Sequence, residues 1–436
     1  MTSSQFGRKL NPYRRLRDPL GIKAIRQSVT VTNNPSTIDQ NQQLLVRFPN
    51  LGAYDVIVPG SVRLAFEISL TSTDVKRSVV QNLGRAIVKK LTIRISGNEL
   101  MSVDDSDVFH TYSDLWLTKQ ERKNAHYQGI DESANQNVTR LRIDAGDKDV
   151  AKAEDKAISD AFGARYHIPL DFELLEGHMP FYQSALGDRL EYEVTFNDYG
   201  RVLKAAADKK GTYKIENICL EFEMVTQPEL ARMIRNQYAG RIAILYERVL
   251  RHRKISANKS DTLWNVNLNV PARSMKGILM LFEDPSSEGA GSAFGRNTEK
   301  FYNPGITKVE VTIEGVPNQL YSQGMRAYQQ WDEARKFFAA GAKRHPEVAA
   351  VAKDLGLANV SLGEFLTDKF ALWLDLRSTD DDQLHGSGRR VENASEGITL
   401  QITKKAATAG ALNIYLYVLM DAQLNIENGR FVSALY

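Results

Sequence analysis

Two strand-like stretches are written half a chain apart. IVKKLTIRISG (87–97) alternates Leu91, Ile93 and Ile95 with Thr92, Arg94 and Ser96 and stops at Gly97. ITKVEVTIEG (306–315) alternates Val309, Val311 and Ile313 with Glu310, Thr312 and Glu314 and stops at Gly315. A period of two with β-branched residues fits a pleated strand that buries one face. The glycines are 218 positions apart (315 minus 97), half of the 436 residues. A chain that repeats a strand at this offset is constrained to fold twice in the same way.

The flanking sequence keeps the repeat. VIVPGSVRLAFEI (56–68) resembles VNLNVPARSMKGILMLFE (266–283), with Pro59 and Pro271 separated by 212 positions (271 minus 59). Further on, RYHIPLDF (165–172) matches KFALWLDL (369–376), RLEYEVTFN (189–197) matches GITLQITKK (397–405), and YKIENICLEFEMV (213–225) matches ALNIYLYVLMDAQL (411–424). After each turn glycine the chain becomes polar and then helix-like. Tyr112 and Trp116 in one half, and Tyr328 and Trp331 in the other, fall on one helix face and read as packing residues.

A repeat of roughly 200 residues is too long for a solenoid unit and has the length of a whole domain. The pattern predicts an all-β chain with helical insertions: two tandem eight-stranded jelly-roll β-sandwiches. An immunoglobulin-type pair is the rival, but its disulfide and tryptophan hallmarks are missing. The expected layout is a basic N-terminal arm (1–26) and a first jelly roll (27–226) with an insertion over 104–163. A helical connector (227–240), with Pro228 near its start and Gly240 after its end, leads to a second jelly roll (241–436) with an insertion over 317–368.

Composition agrees with two packed cores: 42% of residues are hydrophobic and 25% charged. A single cysteine, Cys219, excludes an internal disulfide and reads as a small buried residue. The start, MTSSQFGRKLNPYRRLR, lacks the apolar core of a secretory signal. Apolar runs such as IYLYVLM (414–420) fall far short of the ~20 residues a spanning helix needs.

Motifs for catalysis or metal binding do not assemble. The nearest two of the seven histidines, His167 and His178, are 11 apart, so neither the His-X-His of a cupin nor HExxH occurs. The acidic groups Asp104, Asp105, Asp107 and Asp380, Asp381, Asp382 lack a calcium-loop frame and read as solvated loops. GAGSAFGR (289–296) and HGSGRR (385–390) lack the strand–loop–helix layout that cradles phosphate. No catalytic, cofactor or metal residue is assigned, and the chain is expected not to be an enzyme. Paired carboxylates of the glycosidase kind cannot be sorted from 53 acids by sequence. A two-domain carbohydrate-binding or carbohydrate-cleaving β-sandwich protein is therefore the alternative, and an intracellular scaffold a third reading.

The arm carries Arg8, Lys9, Arg14, Arg15, Arg17, Lys23 and Arg26 against Asp18, a net +6 that leaves −3 for the other 410 residues out of a total of +3. A flexible, helix-poor basic segment suits polyanion contact through counterion release.

Two jelly rolls in tandem, each with a helical insertion, no metal motif and a basic arm, resemble the double jelly-roll major capsid proteins of icosahedral DNA viruses. EGVPNQLYSQGMRAYQQWDEARKFF, DDDQLHGSGRRVENASEGITLQITKK and DFELLEGHMPFYQSALGDRLEYEVTFNDY are similar to capsid proteins of Polinton or Maverick elements and adintoviruses. The resemblance spans residues 27 to 436. It implies a homotrimer whose six sandwiches make a pseudo-hexagonal, hexon-like capsomer that tiles an icosahedral virion beside neighbouring capsomers, penton and minor capsid proteins. It implies no cofactor, synthesis inside the host cell without a secretory signal, and insertions (104–163 and 317–368) that are exposed to the outside or line the trimer top. The arm would then face the interior, toward DNA, minor proteins or an internal membrane.

Overall fold

The computed structural model describes residues 23–30, 37–49, 51–71, 77–130, 142–143, 165–170, 172, 175, 186, 188–204, 212–285, 298–318, 320–321, 324–338, 360–378, 386–391 and 397–436. Of the arm's basic residues only Lys23 and Arg26 fall among these; Arg8, Lys9, Arg14, Arg15 and Arg17 lie outside them, as do residues 289–296 and Asp380 to Asp382.

Strands dominate. In the first half they are β1 (Lys23–Thr30), β2 (Thr37–Asp39), β3 (Gln43–Arg47), β4 (Asp55–Ile57), β5 (Arg63–Thr71), β6 (Arg77–Val79), β7 (Val88–Ile95), β8 (Asn98–Asp104), β9 (Arg142–Ile143), β10 (Arg165–Pro169), β11 (Leu190–Phe196), β12 (Leu203–Lys204) and β13 (Thr212–Thr226). In the second they are β14 (Arg241–Asn258), β15 (Leu263–Leu268), β16 (Ala272–Glu283), β17 (Ile306–Ile313), β18 (Val316–Pro317), β19 (Ala371–Asp375), β20 (Arg389–Val391), β21 (Ile398–Lys404), β22 (Ala411–Glu427) and β23 (Arg430–Leu435). Four helices matter below: α1 (Ser106–Leu115), α2 (Pro228–Tyr238), α3 (Ala327–Phe338) and α4 (Leu362–Thr367).

Each half builds two facing sheets in the same order. The first half pairs β1-β13-β5-β10 in one sheet and β3-β11-β7-β8 in the other; the second pairs β14-β22-β16-β19 and β15-β21-β17-β18. Position by position, β13 corresponds to β22, β5 to β16, β7 to β17 and β8 to β18. These are two jelly rolls, and among the described residues every pair of named strands within each is antiparallel.

The two opening stretches become β7 and β17, the same strand of each sandwich. Both end in the same hairpin: Ser96 and Gly97 have φ of 50° and 79°, and Glu314 and Gly315 have 49° and 79°. Two successive left-handed residues make the tight turn whose twist matches the flanking strands. One face of each strand is buried, with Leu91, Ile93 and Ile95 inside the first core and Val309, Val311 and Ile313 inside the second. Burying such side chains is worth about 1.5–3 kcal/mol each, which makes register costly to change.

The run IYLYVLM lies in the middle of β22, and every residue of it is buried. A strand that alternates would leave one face wet. This one has a core on one side and the other half of the chain on the other.

Candidate functional site

In a chain built of two sandwiches, the junctions that join one sandwich to the next are candidate functional surfaces. One such junction exists within the chain. The edge of β8 meets the edge of β14 in parallel at Ser102 and Leu250, fusing two sheets into one of ten strands.

Around this bridge the seam is tied by side chains. Arg251 pairs with Asp105 and, at 3.4 Å, with Asp104. Arg248 reaches Glu99 at 3.8 Å, and the Tyr246 hydroxyl donates to the Leu100 carbonyl at 3.1 Å. The Tyr417 hydroxyl donates to the Asp105 carbonyl at 2.7 Å. Burial, with Asp105 and Asp107 nearby, holds this phenol well above its usual pKa, so it remains a donor. Nearby, Arg201 donates to Glu283 at 2.7 Å and to the Tyr415 hydroxyl at 2.6 Å, and Tyr415 donates to Glu283 at 2.7 Å. The acidic group at Asp104, Asp105 and Asp107 was expected to be a solvated loop. Asp107 is instead buried, and Asp104 and Asp105 take an arginine from the other half.

The two helical insertions also meet. Tyr112 and Trp116 on and beside α1 are fully buried, and Tyr112 packs edge-on to Phe301 (5.1 Å) and Phe338 (5.3 Å). Trp116 stacks near Phe338 at 6.4 Å and reaches Phe365 of α4 at 6.2 Å. Arg122 donates to the Asp114 carbonyl at 3.0 Å and pairs with Glu299 at 2.6 Å. So α1 is packed between the two halves of the chain. The counterpart pair behaves differently. Trp331 is part-buried, its indole donating to the Val360 carbonyl at 3.4 Å, whereas Tyr328 is exposed.

The equivalent edge of the second sandwich, β18, pairs only with β17 among the described residues. Val316 on this strand (64%) and Leu320 in the turn that follows it (67%) are the two most exposed large apolar residues described. Beside them opens a groove of about 380 Å³ lined by Leu320, Met325, Tyr328, Trp331 and Leu362. Sequence reading missed this patch. Its signal was the contrast between Leu320 and Ser102, which share a distance of five from Gly315 and Gly97 (320 minus 315, 102 minus 97).

Other candidates are structural. Cys219 is buried and accepts from Arg165 at 3.0 Å. Lys276 sits between Glu247 and Asp421, each at 3.3 Å; burial opposes its charge, but the two carboxylates prevail and raise its pKa. No cluster of three metal-ligating side chains occurs among the described residues, and no described helix is long and apolar enough to cross a membrane. The structure places Lys23 and Arg26 on β1, paired along the backbone with Thr226 and Glu223 of β13.

The fold these sheets define is the double jelly roll. The chain is similar in structure to the capsid of PBCV-1 virus (TM-score 0.58, 14% identity, covering 96% of this chain and 97% of that one). It is likewise similar to a chain of the Sputnik virophage (TM-score 0.58, 12% identity, 95% and 88% covered) and to the Faustovirus major capsid protein (0.54, 10%, 93% and 91%). No family's sequence pattern matches the chain, and no curated protein matches it in sequence.

Proposed function

We propose that this chain is a major capsid protein whose homotrimers form pseudo-hexagonal capsomers of an icosahedral DNA-virus shell. The observation that carries the reading is likeness at nearly full length on both sides to the PBCV-1 virus capsid, with both sandwiches included. A duplicated sandwich has a physical use in such a shell. Three copies of two similar units give six similar edges around a threefold axis, and that outline packs on a hexagonal lattice.

In this reading the arm is 1–26, the sandwiches are 27–226 and 241–436, and 227–240 connects them. The neighbours in the shell are other capsomers, penton and minor capsid proteins, and the arm touches packaged nucleic acid without reading its sequence. The stretches quoted above support a source among Polinton, Maverick or adintovirus-like elements. The protein would act in the virion and carry no catalytic chemistry.

The test is the mass of purified protein by size-exclusion chromatography with light scattering. A species of three times 49.0 kDa, with shell-like particles at high concentration by electron microscopy, is expected. A chain that remains single at every concentration and is retained on a glycan column would overturn the reading in favour of the carbohydrate one.

A further inference from the structure

We propose that the chain forms an internal amide cross-link between the Lys276 amine and the Asp421 carboxyl, with Glu247 carrying the protons. The bond lies within one chain, so it stands apart from the shell reading and neither depends on the other.

Three neighbouring strands bring the reacting groups together. β22 runs between β14 and β16. Glu247 of β14 lies directly opposite Asp421 of β22. On the other side β16 breaks register between Met275 and Gly277, and Lys276 is the residue inside that irregularity. Its Nζ rests 3.3 Å from Asp421 Oδ1 and 3.3 Å from Glu247 Oε2. An amine held in contact with a carboxyl group, with a base beside it, reacts at a very high effective concentration.

The other carboxyl oxygen is gripped by donors. Ser274 Oγ donates to Asp421 Oδ2 at 2.5 Å, and the Gly386 amide donates to it at 2.9 Å. The Gly388 amide donates to Ser274 Oγ at 2.9 Å, which leaves the hydroxyl proton for Asp421. Two preset donors on Oδ2 stabilise the charge that gathers there when nitrogen adds to the carboxyl carbon. Asp421 and Ser274 are both buried. The two amides belong to the glycine-rich HGSGRR stretch, and the close approach explains its glycines. A Cβ on Gly388 would lie 2.6 Å from the Met275 carbonyl, and Gly386 has φ of +84°. The Ser378 amide pins the stretch by donating to the Ser387 carbonyl at 2.8 Å.

Burial disfavours the Lys276 ammonium, but the two carboxylates hold it charged, so the reaction starts from an ion pair. One ammonium proton passes through Glu247 to Asp421 Oδ1. The neutral Nζ then attacks Cγ, and a second nitrogen proton follows the same route. The C–N bond forms, the Cγ–Oδ1 bond breaks, and Oδ1 leaves with the two protons as water. Nothing is oxidised or reduced, and Glu247 ends ionised as it began. A neutral amide replaces a buried ion pair, whose desolvation is costly. The bond also ties β16 to β22 across 145 positions (421 minus 276) that contain β17 to β21. A cross-link over so long a loop restricts the unfolded chain.

The experiment is intact-mass spectrometry of the denatured full-length chain, followed by tryptic mapping. The wild type is expected to be lighter than its sequence by one water. Its digest should contain a branched peptide that joins the Lys276 segment to the Asp421 segment. Lys276→Arg keeps the charge without the nucleophile, and Glu247→Gln cannot take the proton; both are expected at the full mass of their sequences. Thermal melts by circular dichroism establish that each protein is folded. A folded wild type at full mass after prolonged incubation overturns the proposal. A water loss that persists in Lys276→Arg, or that comes with no branched peptide, marks a succinimide and overturns it too. A branched peptide at full yield in Glu247→Gln overturns the assignment of Glu247. None of these outcomes touches the trimer's mass, which tests the shell reading separately.

Discussion

At the scale of single residues, burial decides which charges matter. Arg85 and Asp114 form an ion pair at 3.1 Å with both side chains about as buried as the core, and the Asn82 amide donates to the same carboxylate at 2.9 Å. Arg47 and Glu191 pair at 2.7 Å, a shorter distance, but Arg47 is half exposed. Distance alone would rank them the other way. Removing the Asp114 carboxylate breaks a buried ion pair and takes a counter-charge from a guanidinium shielded from water, a loss of about 3–5 kcal/mol. Removing Glu191 returns Arg47 to water and costs under about 1 kcal/mol. Urea unfolding of Asp114→Ala and Glu191→Ala should separate the two by several-fold in free energy; equal effects would show that the Arg85 site is wet. Neither pair is visible in the sequence, because Arg85 and Asp114 are 29 positions apart and nothing local marks them as partners.

At the scale of elements, what could be read was what the backbone enforces locally. The alternation in β7 and β17 and the glycine after each are set by the pleat and by the turn that follows. Those demands act within ten residues, so they survive in the sequence of both halves. What could not be read was which face each element turns to its opposite number. Tyr112, Trp116, Tyr328 and Trp331 look alike as helix-face pairs, yet the first two are sealed by Phe301, Phe338 and Phe365 while Tyr328 is exposed. The acids at Asp104 and Asp105 looked like part of a solvated loop, and their arginine comes from 146 or 147 positions away. The glycines provide a test of this local logic. At Gly315 an added Cβ meets nothing within 4 Å, but φ is +79°. Gly315→Ala should therefore cost only the left-handed backbone penalty, about 1–2 kcal/mol. At Gly277 of β16 the backbone is ordinary, but an added Cβ would sit 2.6 Å from the Leu374 carbonyl and against the Trp373 ring. Gly277→Ala should cost about 1–3 kcal/mol or more through overpacking. Thermal melts of the two variants, and of Gly97→Ala as the first-half twin of Gly315→Ala, check this. The two turn variants should shift alike, since the same hairpin is strained in the same way; a large effect at one turn alone would mean that the two are not equivalent.

For the whole molecule, the chain's polarity sets where the basic arm begins. β1 runs antiparallel to β13 with Lys23 opposite Thr226, two residues before α2 begins at Pro228. The C-terminal hairpin closes the same end, its Gly429 amide donating to the Tyr238 carbonyl of α2 at 3.0 Å. The root of the arm, the connector and the C-terminal hairpin thus share one end of the molecule. The turns at Ser96 and Gly97, and at Glu314 and Gly315, are placed at that end by the strand order, while α1 and α3 follow strands that climb away from it. Three copies around an axis would gather three arms at one end and leave the insertions at the other. Residues 1–22 carry Arg8, Lys9, Arg14, Arg15 and Arg17 against Asp18. If these five cations contact phosphate, the logarithm of DNA affinity should fall with the logarithm of salt with a slope of about −4.5 per arm, from about −0.9 per phosphate neutralised. Deleting residues 1–22, which leaves β1 whole, should abolish that slope and leave the trimer's mass unchanged. Binding that persists with the same slope would move the contact to the body of the protein, and loss of the trimer would make the arm part of assembly instead.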